Sequence, residues 1–175
     1  MEGTALERLV VELAEQMRGR FYGKYRGIVT DVIDKDKLGR IRAKVPEVLG
    51  DQDSPWALPC VPFAGKKHGV VWLPEKDDGV WIEFEAGDPA RPLWCGGWWG
   101  KDDLEDAGKA KVRAFVTSAG HRIEIDEDKK IINLKHAKGG KVEIGENDMT
   151  LESGSGKVVL SKSGMSVNDG ALTVK

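Results

Sequence analysis

Between Arg122 and Lys175 the chain carries seven short stretches, RIEID, IINLKH, KVEIG, MTLES, KVVLS, MSVND and ALTVK, in which apolar and polar residues alternate. Alternation with a period of two puts one apolar face on each strand. The apolar positions are Ile123/Ile125, Ile132/Leu134, Val142/Ile144, Met149/Leu151, Val158/Leu160, Met165/Val167 and Leu172/Val174. Turn-forming runs such as Lys138-Gly139-Gly140, Glu146-Asn147-Asp148, Gly154-Ser155-Gly156 and Asn168-Asp169-Gly170 separate them. The rungs recur roughly every 7 to 10 residues, a spacing like that of short-repeat β-helices. A triangular coil built by one chain needs three faces, about 18 residues at roughly six per face. About sixty residues would make about three such coils with large uncapped ends, whereas one face from each of three chains closes a prism of useful length. The pattern therefore predicts an intertwined trimeric shaft over 115–175. An antiparallel meander or half of a sandwich in a monomer is the alternative, and the hairpin-like DEDKK between the first two rungs suits it.

The rest of the chain divides into three parts. Residues 1–20 contain one amphipathic helix: Thr4 and Glu7 have capping-box spacing, and Leu6, Leu9, Val10, Leu13 and Met17 fall on one stripe. Residues 21–100 hold five or six strands, YRGIVTDVI, GRIRAKVP, WALPCVPF, GVVWLP, GVWIEFE and PLWCGGWW, broken by DKDKLG, PEKDDG and EAGDPAR. So many short strands in about 80 residues suit a small closed barrel of the OB type. In GVWIEFE, Val80, Ile82 and Phe84 share a core side while Trp81, Glu83 and Glu85 share a wetter one. Residues 101–114 are charged and carry almost no apolar pattern, as a linker would. The fold class is thus all-β: an OB-fold barrel preceded by a short helix and followed by an intertwined trimeric β-helix.

Composition excludes several functions. Twenty-seven basic against 29 acidic side chains give a net charge of −2, and 115–175 carries nine of each. No segment gathers the positive charge that attracts a phosphate backbone, so nucleic acid is not an expected partner. No stretch approaches the roughly 18 to 20 apolar residues of a membrane span, and the N-terminus lacks a signal-peptide form. The chain is expected to be made in the cytoplasm. Cys60 and Cys95 lie far apart in apolar strand-like surroundings and read as two buried free thiols.

No catalytic or cofactor pattern emerges either. His68, His121 and His136 form no HxH or HExxH pair, so neither a metal nor another cofactor is expected. His121, after Gly120, suits a turn hydrogen bond. The carboxylate pairs Asp77/Asp78, Glu83/Glu85 and Asp102/Asp103 lie in turns or on wet strand faces, unlike the desolvated pair that glycoside hydrolysis needs. The six tryptophans, Trp56, Trp72, Trp81, Trp94, Trp98 and Trp99, are many for this length. Two uses fit them: stacking platforms for bases or sugars on an oligonucleotide- or oligosaccharide-binding barrel, or apolar anchors where barrels meet. Without accompanying positive charge the second is favoured, and Trp81, Trp94, Trp98 and Trp99 are the candidate collar interface.

Two strings carry a family likeness. GVWIEFEAGDPARPLWCGGWW, preceded by GRIRAKVP and by WALPCVPFAGKKHGVVWLPEKDDG, resembles the OB-fold domain of phage baseplate spike proteins, a group that includes baseplate assembly protein V and the valine-glycine-repeat spike of type VI secretion. TSAGHRIEIDEDKKIINLKHAKGGKVEIG is similar to the opening of their trimeric β-helix. The resemblance covers about residues 21–175. It implies the central spike of a contractile injection device: a homotrimer joined to baseplate hub or tail-tube proteins, with barrels as a collar and a shaft aimed at the target cell envelope. Some members carry a lysozyme domain between collar and shaft, for which the short linker here leaves no space. Others end in an iron-binding HxH motif, and this sequence has no histidine after His136. Ile123, Ile125, Leu134, Val142, Ile144, Leu151, Val158, Leu160, Val167 and Leu172 are the candidate shaft core. A shaft stopping within the rung pattern exposes strand edges, so Leu172, Val174 and Lys175 are the candidate contacts for a cone-shaped tip protein.

Overall fold

The computed structural model describes residues 5–104 and 109–174. They form two compact units that part between Asp103 and Leu104. The first opens with the helix α1 (Ala5–Met17), every described side chain of which is exposed. Thr4 of the expected capping box lies outside the described residues.

The barrel is built from β1 (Tyr25–Asp31), β2 (Arg42–Lys44), the one-turn helix α2 (Pro46–Leu49), β3 (Leu58–Pro59), a small hairpin of β4 (Ala64–Gly65) and β5 (His68–Gly69), then β6 (Gly79–Phe84) and β7 (Pro92–Gly97). The main sheet has the order β2-β1-β6-β7-β3, with only β3–β7 parallel. Its two ends are drawn together at Ile41 and Ala57, which exchange N–H···O=C bonds of 3.2 and 2.8 Å. β6 shows why the sequence folds this way. Val80, Ile82 and Phe84 alternate into the core, where they meet Val29, Ile41, Ala43, Val45, Ala57 and Trp94. Gly27 lets β1 and β6 close on this core, because a Cβ there would stand 3.0 Å from Ile82 Cγ1 and 3.3 Å from Ala43 Cβ.

Two expectations for the barrel need correction. GVVWLP is not a strand: residues 70–75 have no regular structure, and Val71 is 84 % exposed. Val70, Val71, Trp72 and Leu73 form an unbroken apolar run, which contains no alternation to place one face inward. The two thiols are not both buried: Cys60 is exposed and Cys95 is half-buried.

The second unit contains β8 (Val112–Val116), β9 (Arg122–Asp126), β10 (Ile131–Lys135), β11 (Lys141–Ile144), β12 (Asp148–Ser153), β13 (Gly156–Ser161), β14 (Gly164–Val167) and β15 (Leu172–Val174). The seven sequence rungs are β9 to β15. β8 adds an eighth and opens at Val112, inside the stretch read as linker. All eight form one sheet in chain order, each antiparallel to the next. The described strands follow one another as an antiparallel meander, and no β-helical coil is seen among the described residues of the single chain. Hairpins only two to five residues long return each strand beside its predecessor, so the ladder hydrogen bonds close within one chain.

Candidate trimer interface

Strand register turns the separate rungs into continuous rows. One row runs across the sheet through Phe115, Ile123, Leu134, Val142, Leu151, Val158, Val167 and Leu172, each directly opposite the next. A second runs through Ile125, Ile132, Ile144, Met149, Leu160, Met165 and Val174. Both rows share a face because their members differ by two along every strand. Thus all ten residues expected in the shaft core stand on one side of one sheet, and Phe115, Ile132, Met149, Met165 and Val174 join them. The last four were visible as alternate positions in the sequence. Phe115 was not, because its partner Arg113 interrupts the apolar alternation of β8.

This face has no cover within the chain. Among the described residues of β8 to β15 no apolar side chain is buried, and Ile123, Leu134, Ile144 and Leu172 are 44 to 55 % exposed. A soluble monomer rarely leaves so large an apolar surface in contact with water. Beside the first row the small residues Gly140, Ser153 and Gly156 leave a groove of about 570 Å³, walled by Leu134, Val142, Leu151, Val158 and Val167. Leu172 and Val174 lie on the outermost strand and are exposed. Lys175 lies outside the described residues.

The opposite face is polar. Arg122 holds Glu124 at 2.7 Å and Lys141 holds Glu143 at 2.8 Å. The hydrogen bond to Glu143 raises the Lys141 pKa above its ordinary value. Asn133, between the two acids, donates to Glu124 at 3.3 Å. The sheet thus has a wet side and a dry side, as a strand covered on one face should.

Turns complete the frame. Asp126, 5 % exposed, accepts backbone N–H groups from Asp128 at 3.1 Å and Lys129 at 3.0 Å, with the Lys129 ammonium 3.1 Å away. These bonds, that to the Lys129 backbone foremost, hold its pKa below the usual carboxylate range. At the opposite ends of β9 and β10, His121 accepts from Ala137 N–H at 3.3 Å, and its ring centroid lies 4.4 Å from that of His136. His121 thus serves in turns.

The candidate collar tryptophans separate. Trp94 is only 5 % exposed and donates to the Gly39 carbonyl at 3.0 Å, so its surface is used inside its own barrel rather than at an interface. The Arg26 guanidinium lies over both Trp81 and Trp98, at 5.8 and 5.2 Å from their rings. Trp98 also donates to the Val80 carbonyl at 3.1 Å. Trp99 remains 68 % exposed. The carboxylate pairs have structural partners: Glu83 binds Lys24 at 2.6 Å, Glu85 binds Arg91 at 2.5 Å, Asp78 accepts Glu75 N–H at 2.7 Å and Asp103 accepts Gly100 N–H at 2.6 Å.

Comparison with known families matches both units. Residues 25–99 match the type VI secretion system/phage-baseplate injector OB domain. Residues 112–173 match the phage baseplate V C-terminal trimerisation domain. The chain belongs to the baseplate spike proteins. A search among curated proteins finds no match. In this spike protein the trimerisation match begins at the first residue of β8 and reaches the middle of β15, so it takes in both apolar rows except Val174. Among the described residues no helix is long and apolar enough to cross a membrane.

Proposed function

We propose that three copies of this chain pack the dry faces of their β8–β15 sheets together into a stiff rod, and that the rod is the central spike of a contractile injection particle. The uncovered pair of apolar rows carries this reading. Covering a Leu, Ile or Val fully stabilises by about 1.5 to 3 kcal/mol, so a face whose members are already about half covered retains about 1 kcal/mol each, or about 10 kcal/mol per chain. That is enough to offset the ~4 to 15 kcal/mol cost of losing independent motion, particularly with three chains contributing.

Three sheets, each hydrogen-bonded within its own chain, enclose the rows of all three as one dry core. An axial thrust is then shared among many ladder hydrogen bonds, and the rod moves as a unit. In this reading sheath contraction supplies the work, the barrels form the collar above hub or tail-tube proteins, and the rod pierces the target envelope. The exposed outer edge of β15, with Leu172, Val174 and Lys175, would receive a cone-shaped tip protein. The particle would be a phage tail or a related secretion or free injection complex, assembled after synthesis in the cytoplasm.

Light scattering across a dilution series tests the assembly. The expected result is three chain masses at every concentration. A folded single chain whose β8–β15 amides resist exchange would refute it, since the face would then be stable without partners.

A further inference from the structure

The groove beside the first apolar row is walled on one side by the large side chains of that row and on the other by a weaker edge. His136, Gly140, Ser153 and Gly156 make this edge. Register holds it together: His136 N–H donates to the Gly140 carbonyl at 2.7 Å, and Ser153 stands opposite Gly156. Three of the four have little or no side chain, so about 570 Å³ stays open on the dry face of each copy.

The two long edges of the sheet differ in chemistry. Beyond the second apolar row, two residues along the chain from Ile125, Ile132 and Ile144, come Glu127, Lys130 and Glu146. Arg113 binds Glu127 at 3.0 Å and Lys130 binds Glu146 at 3.2 Å, with all four side chains more than half exposed. The groove edge carries imidazoles instead. His121 Nδ1 accepts from Ala137 N–H, and His136 Nδ1 accepts from Lys138 N–H at 3.2 Å. A ring nitrogen that accepts carries no proton, so each neutral imidazole keeps Nε2–H as its remaining donor. One edge offers donors where the other offers carboxylates.

Dimensions and symmetry limit what can cover the groove. The eight strands, about 4.8 Å apart, extend roughly 34 Å along the rows, whereas strands of three to six residues span about 10 to 20 Å. The rows therefore run along a rod and the strands lie across it. Every residue lining the groove falls within the trimerisation match at 112–173, and the groove opens on the same face as both apolar rows, so its occupant is another copy of this chain. In a threefold ring each chain touches its two neighbours through two different edges. A groove edge then meets the opposite edge of the next copy, never a second groove edge.

We propose that the Glu127–Lys130–Glu146 edge of each copy covers the His136–Gly140–Ser153–Gly156 edge of the next, which brings the second apolar row of one chain over the open groove of its neighbour. The inference rests on the homotrimer reading and adds to it the order in which sheet edges meet. Each chain fills one groove and has its own filled once, at three identical corners. The imidazole donors of His121 and His136 then face carboxylates of the adjoining copy.

The test is disulfide trapping in the full chain, in a Cys60→Ser/Cys95→Ser background. Ser153 ends β12 and Asn147 precedes its other end, six residues and so about 20 Å away, too far for a bridge within one copy. Strands that lie across a rod can tilt, so Ser153→Cys is paired in turn with Glu146→Cys, Asn147→Cys and Lys162→Cys, then oxidised mildly. The expected product, for at least one pair, is a reducible ladder of two and three linked chains on a denaturing gel, with more than half of the protein linked. Ser153→Cys by itself should give no linkage. Linkage in that single variant would overturn the proposal, because like edges would then meet, and so would absence of linkage in all three pairs. Light scattering on the unoxidised samples separates the two levels. A trimer that fails to link refutes the order of edges alone, whereas a monomer refutes the trimer reading beneath it. As a second variant, Ser153→Leu puts a large side chain where the neighbour should lie. It should raise the concentration at which the trimer dissociates by about tenfold or more, and an unchanged or lower value would show a groove left open and overturn the proposal.

Discussion

Placing a carboxylate at Ile144 is the sharpest test of the shaft core. Ile144 sits in the second apolar row, directly between Ile132 on β10 and Met149 on β12. In a lone chain it is 44 % exposed, so Ile144→Asp in a monomer costs little beyond lost strand propensity and the contacts already made. Inside a closed trimer the same group loses its water. An ionised carboxylate there would cost far more than its neighbours can return, and it would protonate instead. At pH 7, a carboxyl whose buried pKa lies above 7 is neutralised at a cost set by the gap of about 3 units from its free value of about 3.9 to the pH, roughly 4 kcal/mol at 1.36 kcal/mol per unit. Three chains therefore lose about 12 kcal/mol, some nine powers of ten in the assembly constant. Light scattering should show three chain masses replaced by one. Lowering the pH to 4 should restore part of the association, since neutralisation then costs little. The matched control is Ser166→Asp on the wet face of β14, beside Val159 and Thr173, which should change stability by about 0.5 kcal/mol or less. A trimer of unchanged melting temperature in Ile144→Asp would refute the assignment of this face.

Three further outcomes follow from local geometry. Asp126 has a folded-state pKa below its unfolded value of about 4, so its stabilisation is full above that pH and is lost as the pH falls through the folded value. Melting temperature measured from pH 7 to pH 2 should show an acid limb, and Asp126→Asn should lower the plateau and flatten the limb; a wild-type profile in the variant would contradict the role of the β9–β10 turn. At Gly79 an added Cβ would lie 2.7 to 2.8 Å from the Trp98 ring and backbone oxygen. Gly79→Ala should therefore destabilise the barrel by about 1 to 3 kcal/mol and alter the tryptophan emission as Trp98 is displaced, and denaturant titration reads both. Trp94→Ala should cost about 3 to 5 kcal/mol in the same assay, whereas Trp99→Ala should leave barrel stability alone; if Trp99 is a collar contact, Trp99→Ala lowers the trimer's resistance to dilution instead.

Much of this architecture was legible because period-two alternation reports which side of a strand is dry. The rungs from RIEID to ALTVK become β9 to β15 with small shifts at their ends, and Val80, Ile82 and Phe84 enter the barrel core as their alternation implies. The same signal is silent for an unbroken apolar run, which is why GVVWLP reads as a strand yet lies on the barrel surface beside Leu38. Residue type was also a poor guide among the tryptophans. Trp94 and Trp99 are five residues apart and chemically identical, but only Trp94 has an inward position with a backbone acceptor at hand.

Local pattern established that each strand of the distal segment has one apolar face, because that depends only on side-chain order. Register is different in kind. Which rung lies against which, and so that Ile123, Leu134, Val142, Leu151, Val158, Val167 and Leu172 join into one row, depends on hydrogen bonds between strands and on the hairpins that return them. The tertiary structure likewise decided that the ladder closes within one chain. Backbone pairing is indifferent to side-chain alternation, which looks the same whether the adjacent strand comes from the same copy or another. The short turns decide it here, because they return each strand beside its predecessor so that pairing follows chain order.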